Sequence, residues 1–349
     1  MLMKVAIITD QHFGARKNSK QFHDYFLKFY NDVFFPTLEE HKIKTVVDMG
    51  DTFDSRKGID FAALAWAKDN YYDRLKEMGI TVHTIVGNHT AYYKNTNDLN
   101  AVDLLLREYK NVKVYSEPTE VKLGKLPVLF IPWINDENSD DTFAAIKASS
   151  SKCAMGHLEL RGFAAYRGHI MEEGLDGKLF ASFSHVYSGH YHTRSTDGRI
   201  SYLGNPYEIY SNDIGDPRGF HILETSTMEL EAFDNPYTMY EVINYNDTPH
   251  QTFDTRQYEG KIVKLIVQKK SDPKKYEKFV DKLLGSNINE MKIVETFADV
   301  ETNFDDYDPE SEDTISILSK YIDESELSLN KAEIKHLIHQ VYKQACELI

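Results

Sequence analysis

At 349 residues, with 41% apolar side chains and no apolar run of about 18 residues, the chain can build a domain of roughly 200–250 residues plus a smaller one, and it offers no membrane span. Its formal net charge of −15 argues against holding nucleic acid through a bulk positive field, so positive charge used on phosphate must be local or supplied by ions. Two cysteines without CxxC or CxxH spacing argue against a disulfide framework or zinc module and fit a reducing cytoplasm, and no signal-peptide pattern is expected at the start.

The apolar run at 4–9 stops at Asp10-Gln11-His12-Phe13-Gly14, which predicts a strand delivering Asp10 and His12 to a sheet edge. Apolar residues at Phe22, Tyr25, Phe26, Phe29 and Tyr30 predict a helix from residue 20 that ends near Pro36. A second strand, 44–49, ends in Gly50-Asp51-Thr52-Phe53-Asp54. Helical sequence from 61 to 78 stops at Gly79, and a third strand, 80–86, ends in Gly87-Asn88-His89-Thr90. This alternation predicts an α/β layered sheet with functional groups gathered beyond the carboxyl ends of the strands.

A helix over 100–109, strands at 112–115 and 128–131 and a helix around 142–148 follow, and then Cys153-Ala154-Met155 closes on Gly156-His157. The run from His185 closes on Gly189-His190-Tyr191-His192; in an extended segment residues two apart face the same way, so His190 and His192 are expected to share a site. Strands at 200–203 and 219–223 complete a first domain, 1–233. Residues 234–258, with Pro236 and Pro249, read as a connector, 259–298 as a small α/β domain, and 299–313 as an acidic linker. The final stretch, 314–349, carries Ile334, Leu337, Ile338, Val341 and Tyr342 on one helical face, for docking in cis or on a partner.

Asp10, His12, Asp51, Asn88, His89, His157, His190 and His192 therefore all stand at strand ends. Oxygen and imidazole donors without thiolate favour Mn²⁺, Mg²⁺, Fe²⁺ or Zn²⁺, and Asp51, between two ligand sets, is the natural bridging carboxylate of a two-metal site. Each motif alone is weak, since Gly-Asn is an ordinary turn dipeptide. Together and in order, Asp-x-His, Gly-Asp-x-x-Asp, Gly-Asn-His, Gly-His and Gly-His-x-His resemble the calcineurin-like metallophosphoesterase superfamily. Within it, 50–57, 83–89, Ile131-Pro132-Trp133 and Asp216-Pro217-Arg218-Gly219-Phe220 resemble DNA-repair nuclease subunits of the SbcD/Mre-eleven type, particularly the recombination endonuclease subunits of T-even-like bacteriophages.

The resemblance implies a metallophosphoesterase β-sandwich flanked by helices, a small α/β capping domain and a C-terminal helical segment that binds an SMC-like coiled-coil ATPase, two nucleases on two ATPases. It implies two Mn²⁺ ions, with Mg²⁺ as the alternative, one held by Asp10, His12, Asp51 and His192 and the other by Asp51, Asn88, His157 and His190. Two divalent ions against two carboxylates leave the site at about +2, enough to draw in a phosphodiester that an activated water then attacks. His89 would bind no metal and would act on the scissile phosphate. The residue after Gly-Asn-His departs from the pattern: it is Thr90, where relatives usually carry an acid, so the orienting role is expected of Asp54 in an Asp54–His89 pair.

Arg16-Lys17 and Arg56-Lys57 lie in loops near the motifs and read as DNA-phosphate contacts or equally as solvated charge. Tyr92 and Tyr93 read as base-stacking or as packing residues. The implied activity is a metal-dependent DNA nuclease, 3′-to-5′ exonuclease and single-strand endonuclease, acting on DNA ends in recombination and double-strand-break repair in a cytoplasm, the host's if the gene is a phage's, with no membrane involved. The alternatives are a phosphomonoesterase or small-molecule phosphodiesterase, and a catalytically weak DNA-end scaffold.

Overall fold

Short apolar runs form two six-stranded sheets, and the chain order of their strands sets where the polar residues after each run collect. The first strands are β1 (Lys4–Ile8), β2 (Thr45–Asp48), β3 (Thr81–Ile85), β4 (Val112–Tyr115), β5 (Thr119–Leu123), β6 (Leu126–Ile131) and β7 (Cys153–His157). A two-stranded hairpin, β8 (Ala164–Tyr166) with β9 (His169–Ile170), precedes β10 (His185–Gly189), β11 (Ser195–Thr196), β12 (Ile200–Tyr202), β13 (Gly219–Glu224) and β14 (Leu230–Asp234). A separate three-stranded sheet holds β15 (Tyr240–Asn246), β16 (Ile262–Lys269) and β17 (Glu290–Val294). This computed structural model describes residues 3–295, which lie within one compact unit (Met1–Thr302), together with Lys331 and Ile334. The expected acidic linker 299–313 and, but for those two residues, the segment 314–349 fall outside the described residues.

The two large sheets run β14-β13-β1-β2-β3-β4 and β11-β12-β10-β7-β6-β5. Strands β1 to β4 are parallel, as are β6, β7, β10 and β12, so the strands of each set end at one edge. Side chains alternate across each strand. Val5 and Ile7 meet Val128, Phe130, Met155 and Tyr187 of the other sheet in a shared core, while Ala6 and Ile8 face an aromatic layer that includes Phe26, Phe29, Phe34 and Tyr71. On the far side, Leu129, Ala154 and Val186 pack with Ile146 of the helix Ser139–Ala148 and with Phe180 and Phe183. Layers of helix, sheet, sheet and helix result, and both sheets are buried on both faces, as parallel strands require. Among the described residues no helix is long and apolar enough to cross a membrane.

The helix expected to stop near Pro36 continues past it. Lys20–Phe29 passes through a π-helical turn, Tyr30–Phe34, into Phe35–Glu40. Pro36 stands in the first turn of that last segment, where a missing N–H is tolerated. The same device recurs in Phe61–Ala67, Lys68–Tyr72 and Asp73–Glu77. Each π turn places two aromatic side chains in the core, Tyr30 with Phe34 and Tyr71 with Tyr72.

The stretch 234–258, read as connector from its prolines, carries β15 between Pro236 and Pro249. This strand pairs in parallel with β16, and the helix Pro273–Leu284 covers the small sheet with Tyr276, Phe279 and Leu283 against Ile243, Tyr245, Val263 and Leu265. Glu208 ties this unit to the sandwich: its buried carboxylate accepts the backbone N–H groups of Met239 (2.7 Å) and Tyr240 (2.9 Å). Burial pushes the Glu208 carboxyl up to about 7, against the pull of those two donors. A carboxyl raised in the folded state binds a proton there that the unfolded chain releases, so its stabilising contribution is present below the unfolded value of 4.5 and is lost as pH rises through about 7. Denaturant unfolding of wild type and Glu208→Gln between pH 4.5 and 7.5 is expected to show the wild type losing on the order of 3 kcal/mol relative to the variant, whereas parallel pH profiles would refute the assignment.

Candidate metal centre

Beyond the sheet edge, the loops after β1 and β2 continue to pair. Met49 N–H donates to the Ile8 carbonyl (2.9 Å), Asp10 N–H to Gly50 (3.0 Å), His12 N–H to Asp51 (2.9 Å) and Phe13 N–H to Thr52 (2.8 Å). Along this zipper Asp10, His12 and Asp51 take left-handed backbone angles, with φ of 53°, 46° and 51°, and His190 after β10 has φ 84°. Such angles cost an L-residue about 1–2 kcal/mol each and mark positions that the surroundings over-determine.

The side chains converge in two overlapping sets. His192 Nε2 lies 3.2 Å from His12 Nε2, and these two with Asp10 form one group of candidate ligands within 4.8 Å of one another. His157 Nε2 lies 3.0 Å from Asp51 Oδ2 and 2.9 Å from Asn88 Oδ1, and His190 Nδ1 is 3.0 Å from the same Asn88 oxygen, so Asp51, His157 and His190 form a second group. His89, expected to stay off the metals, falls in a third such group with His12 and Asp51. All eight are at most 8% exposed. Burial raises the Asp51 carboxyl, but His157, His89 and His12 outweigh it and hold it well below the usual carboxylate range. Burial likewise lowers His157, yet Asp51 beside it lifts the imidazole to about 9, while burial holds His190 low.

Two expectations change here. The strand ends at Gly189 and His190 turns out of it, so His190 and His192 are not alternate residues of one extended segment; His190 reaches Asn88 and His192 reaches His12, in the same two ligand sets that the resemblance implies. Asp54 does meet His89, but through its main-chain carbonyl oxygen, which accepts from His89 Nδ1 at 2.7 Å; its carboxylate reaches His12 Nδ1 at 3.1 Å. Thr90 is buried and staples the turn, its hydroxyl donating to the Gly87 carbonyl (3.0 Å) and accepting from the Gly87 N–H (3.2 Å).

Divalent cations fit this donor set. Carboxylate, imidazole and amide oxygen are ligands for Mn²⁺, Mg²⁺ or Zn²⁺, and the backbone is cut back to admit them. A Cβ on Gly87 would stand 2.2 Å from Asp51 Oδ1, and one on Gly189 would stand 2.0 Å from Thr9 Oγ1 and 2.9 Å from Asp10 Oδ2. Only glycine leaves room for the two acids there.

Arg16 and Lys17 form a left-handed turn with Asn18, φ 56°, 58° and 59°, after Gly14. The Arg56 guanidinium stands 5.0 Å from the Trp133 ring, and Lys57 is exposed. Tyr92 and Tyr93 are both exposed and meet edge to face at 4.8 Å. Other histidines serve the fold: His83 bonds the Tyr115 hydroxyl (2.7 Å) and His23 stacks on Trp66.

Sequence reading missed the residues that hold the loops. Asp48, fully buried, accepts from the Gln11 amide (3.0 Å), the Thr52 hydroxyl (2.7 Å) and the Gly50 N–H (3.2 Å), so one carboxylate clamps the Asp10–His12 loop to the Asp51 loop. Gln11 is held in turn by the Tyr30 hydroxyl on its side-chain oxygen (2.5 Å) and the Tyr207 hydroxyl on its carbonyl (2.6 Å). Buried Arg218 donates to the His192 carbonyl and to Asn205 Oδ1 and pairs with Asp213 (3.1 Å), which gives the Asp216-Pro217-Arg218-Gly219 stretch its physical reason. An acid in the otherwise apolar run 45–49 was the available signal for Asp48. Asp48→Ala strands three buried donors and is expected to destabilise the metal-free protein by about 3 kcal/mol or more. Denaturant unfolding with chelator present checks this, and a loss below about 1 kcal/mol would contradict the clamp.

Residues 3–194 match the model of the calcineurin-like phosphoesterases. Over 325 residues the chain is 31% identical to exonuclease subunit 1 of Enterobacteria phage T4, with 92% of each chain covered. Among solved structures, a dimetal phosphatase from Danio rerio aligns at a TM-score of 0.43 and 12% identity over 67% of this chain and 98% of that one. The nuclease MPE of Pseudomonas putida aligns at 0.34 and 15% over 66% and 87%. The family match and the phage relative make this chain a member of the calcineurin-like phosphoesterase family.

Proposed function

We propose that the chain is the nuclease subunit of a DNA recombination and repair complex, a two-metal phosphodiesterase with 3′-to-5′ exonuclease and single-strand endonuclease activity. The observation that carries this reading is the convergence of Asp10, His12, Asp51, Asn88, His157, His190 and His192 on one buried centre with His89 beside it, in a chain similar to a phage exonuclease subunit over nearly its whole length. Asp10, His12, Asp51 and His192 would hold one ion, and Asp51, Asn88, His157 and His190 the other. Mn²⁺ is the preferred ion and Mg²⁺ the alternative, since no thiolate is present to select a softer metal. Bound there, the ions supply Lewis-acid polarisation of the phosphate and a water of lowered pKa.

The chain's own residues do the rest. His89 gives its Nδ1–H to the Asp54 carbonyl, so Nε2 is the ring atom that exchanges a proton with the leaving oxygen as the P–O bond breaks. The Asp54 carboxylate orients His12 toward its ligand set. Arg16, Lys17, Arg56 and Lys57 contact backbone phosphates and Tyr92 and Tyr93 stack on bases at a strand end, which would give a chain of net charge −15 its local grip on DNA. The small sheet of β15 to β17 caps the nuclease domain, and 314–349 binds a coiled-coil ATPase, with two copies of each in the complex. Similarity to a phage exonuclease subunit supports a partner of some kind.

Degradation of labelled linear DNA in the presence of the ATPase tests the reading. Cleavage is expected with Mn²⁺, is expected to vanish with chelator, and is expected to fall on the order of 100-fold or more in His89→Ala. Wild type without Mn²⁺-dependent cleavage, or one that hydrolyses small phosphoesters and spares DNA, would overturn it. Thr90→Asp is expected to lower activity, because a carboxylate cannot donate to the Gly87 carbonyl; a gain would mean that the acid of the family pattern is needed after all.

A further inference from the structure

His190 has two ring nitrogens with different neighbours. Nδ1 lies 3.0 Å from Asn88 Oδ1, on the side where His157 also stands, with ring centroids 5.1 Å apart. Nε2 lies 3.6 Å from Glu159 Oε1, about 0.6 Å beyond an ordinary N–H···O bond. A neutral imidazole carries one N–H, so a ring that offers Nδ1 to a cation must carry its proton on Nε2 and needs an acceptor there.

The group that faces Nε2 is the Glu159 carboxylate. Glu159 follows the candidate ligand His157 by two residues, and its carbonyl accepts the Leu175 N–H (2.9 Å). Its side chain is 46% exposed and borders a cavity of about 260 Å³ that Asp136 also lines, so an untethered carboxylate would have room to turn away. The Trp133 indole prevents this, donating Nε1–H to Glu159 Oε1 at 2.9 Å. Trp133 is itself anchored: its N–H donates to the Val86 carbonyl (2.8 Å), and its own carbonyl accepts from the side chains of Asn97 (2.8 Å) and Asn138 (3.0 Å).

We infer that Glu159, tethered by Trp133, is a positioning residue that places the His190 proton on Nε2 and so turns Nδ1 toward the ion held with Asp51, Asn88 and His157. The inference rests on the two-metal reading above and adds a carboxylate–histidine link outside the expected ligand set. Such outer partners typically change metal affinity 10–100-fold.

Calorimetric titration of Mn²⁺ into the metal-stripped full-length protein tests it, together with nitrogen NMR of histidine-labelled protein to read the His190 tautomer. Wild type is expected to bind two ions and to show the Nε2–H form. Glu159→Ala is expected to weaken one of the two ions 10–100-fold, leave the other unchanged and lose the single tautomer, with the same melting temperature in chelator. Glu159→Gln, which keeps an oxygen acceptor, and Trp133→Phe, which keeps the ring and removes the tether, are expected to weaken the same ion less. Two ions of wild-type affinity and an unchanged tautomer in Glu159→Ala would overturn the inference alone. A wild type that binds no Mn²⁺ would instead overturn the metal-centre reading on which it depends.

Discussion

The structure is organised around the cost of burying Asp10 and Asp51 among five imidazoles. Carboxylates taken out of water are stable only when hydrogen-bonded and matched by positive charge. The chain supplies every donor it can: the His190 N–H and the Thr9 hydroxyl on Asp10, and the His89 N–H and His157 on Asp51. His157, lifted to about 9, supplies positive charge from the protein itself. A cation among these ligands would meet the same demand more fully.

Bringing those groups together strains the backbone. Asp10, His12, Asp51 and His190 stand in the left-handed region, at a cost of about 1–2 kcal/mol each. What holds them lies one layer deeper. Asp48 and Gln11 clamp the first two loops, Tyr30 and Tyr207 clamp Gln11, and Tyr207 stacks on Phe26 at 3.7 Å in the aromatic layer. The helix layer and the metal centre are therefore mechanically one unit. Arg218 holds the His192 backbone as Asp48 holds the loop that carries Asp51.

Much of this was legible because strands announce themselves: apolar runs at 4–9, 44–49, 80–86, 112–115 and 153–157 became β1, β2, β3, β4 and β7, and the parallel order carried their polar ends to common edges. Legibility failed where tertiary context decides. Pro36 reads as a stop unless a π turn precedes it, and β15 was hidden between two prolines that lie outside the strand. Asp48 looked like one polar residue in a buried strand because its three partners come from two other loops. For Asp54 the family resemblance implied a pair with His89 through the acid, whereas the contact uses the main-chain oxygen; backbone acceptors leave no trace in residue identity.

Thr90 shows how a departure from a family pattern can be locally complete. Its hydroxyl both accepts from the Gly87 N–H and donates to the Gly87 carbonyl, closing the turn that carries Asn88 and His89. A carboxylate could do only the first and would set negative charge against the second. Gly87 has no freedom to move aside, because Asp51 Oδ1 fills the space beside its Cα. The turn is thus closed from within by a neutral side chain, and His89 takes its orientation from the Asp54 carbonyl on a different loop. A charge at position 90 is unnecessary to that arrangement.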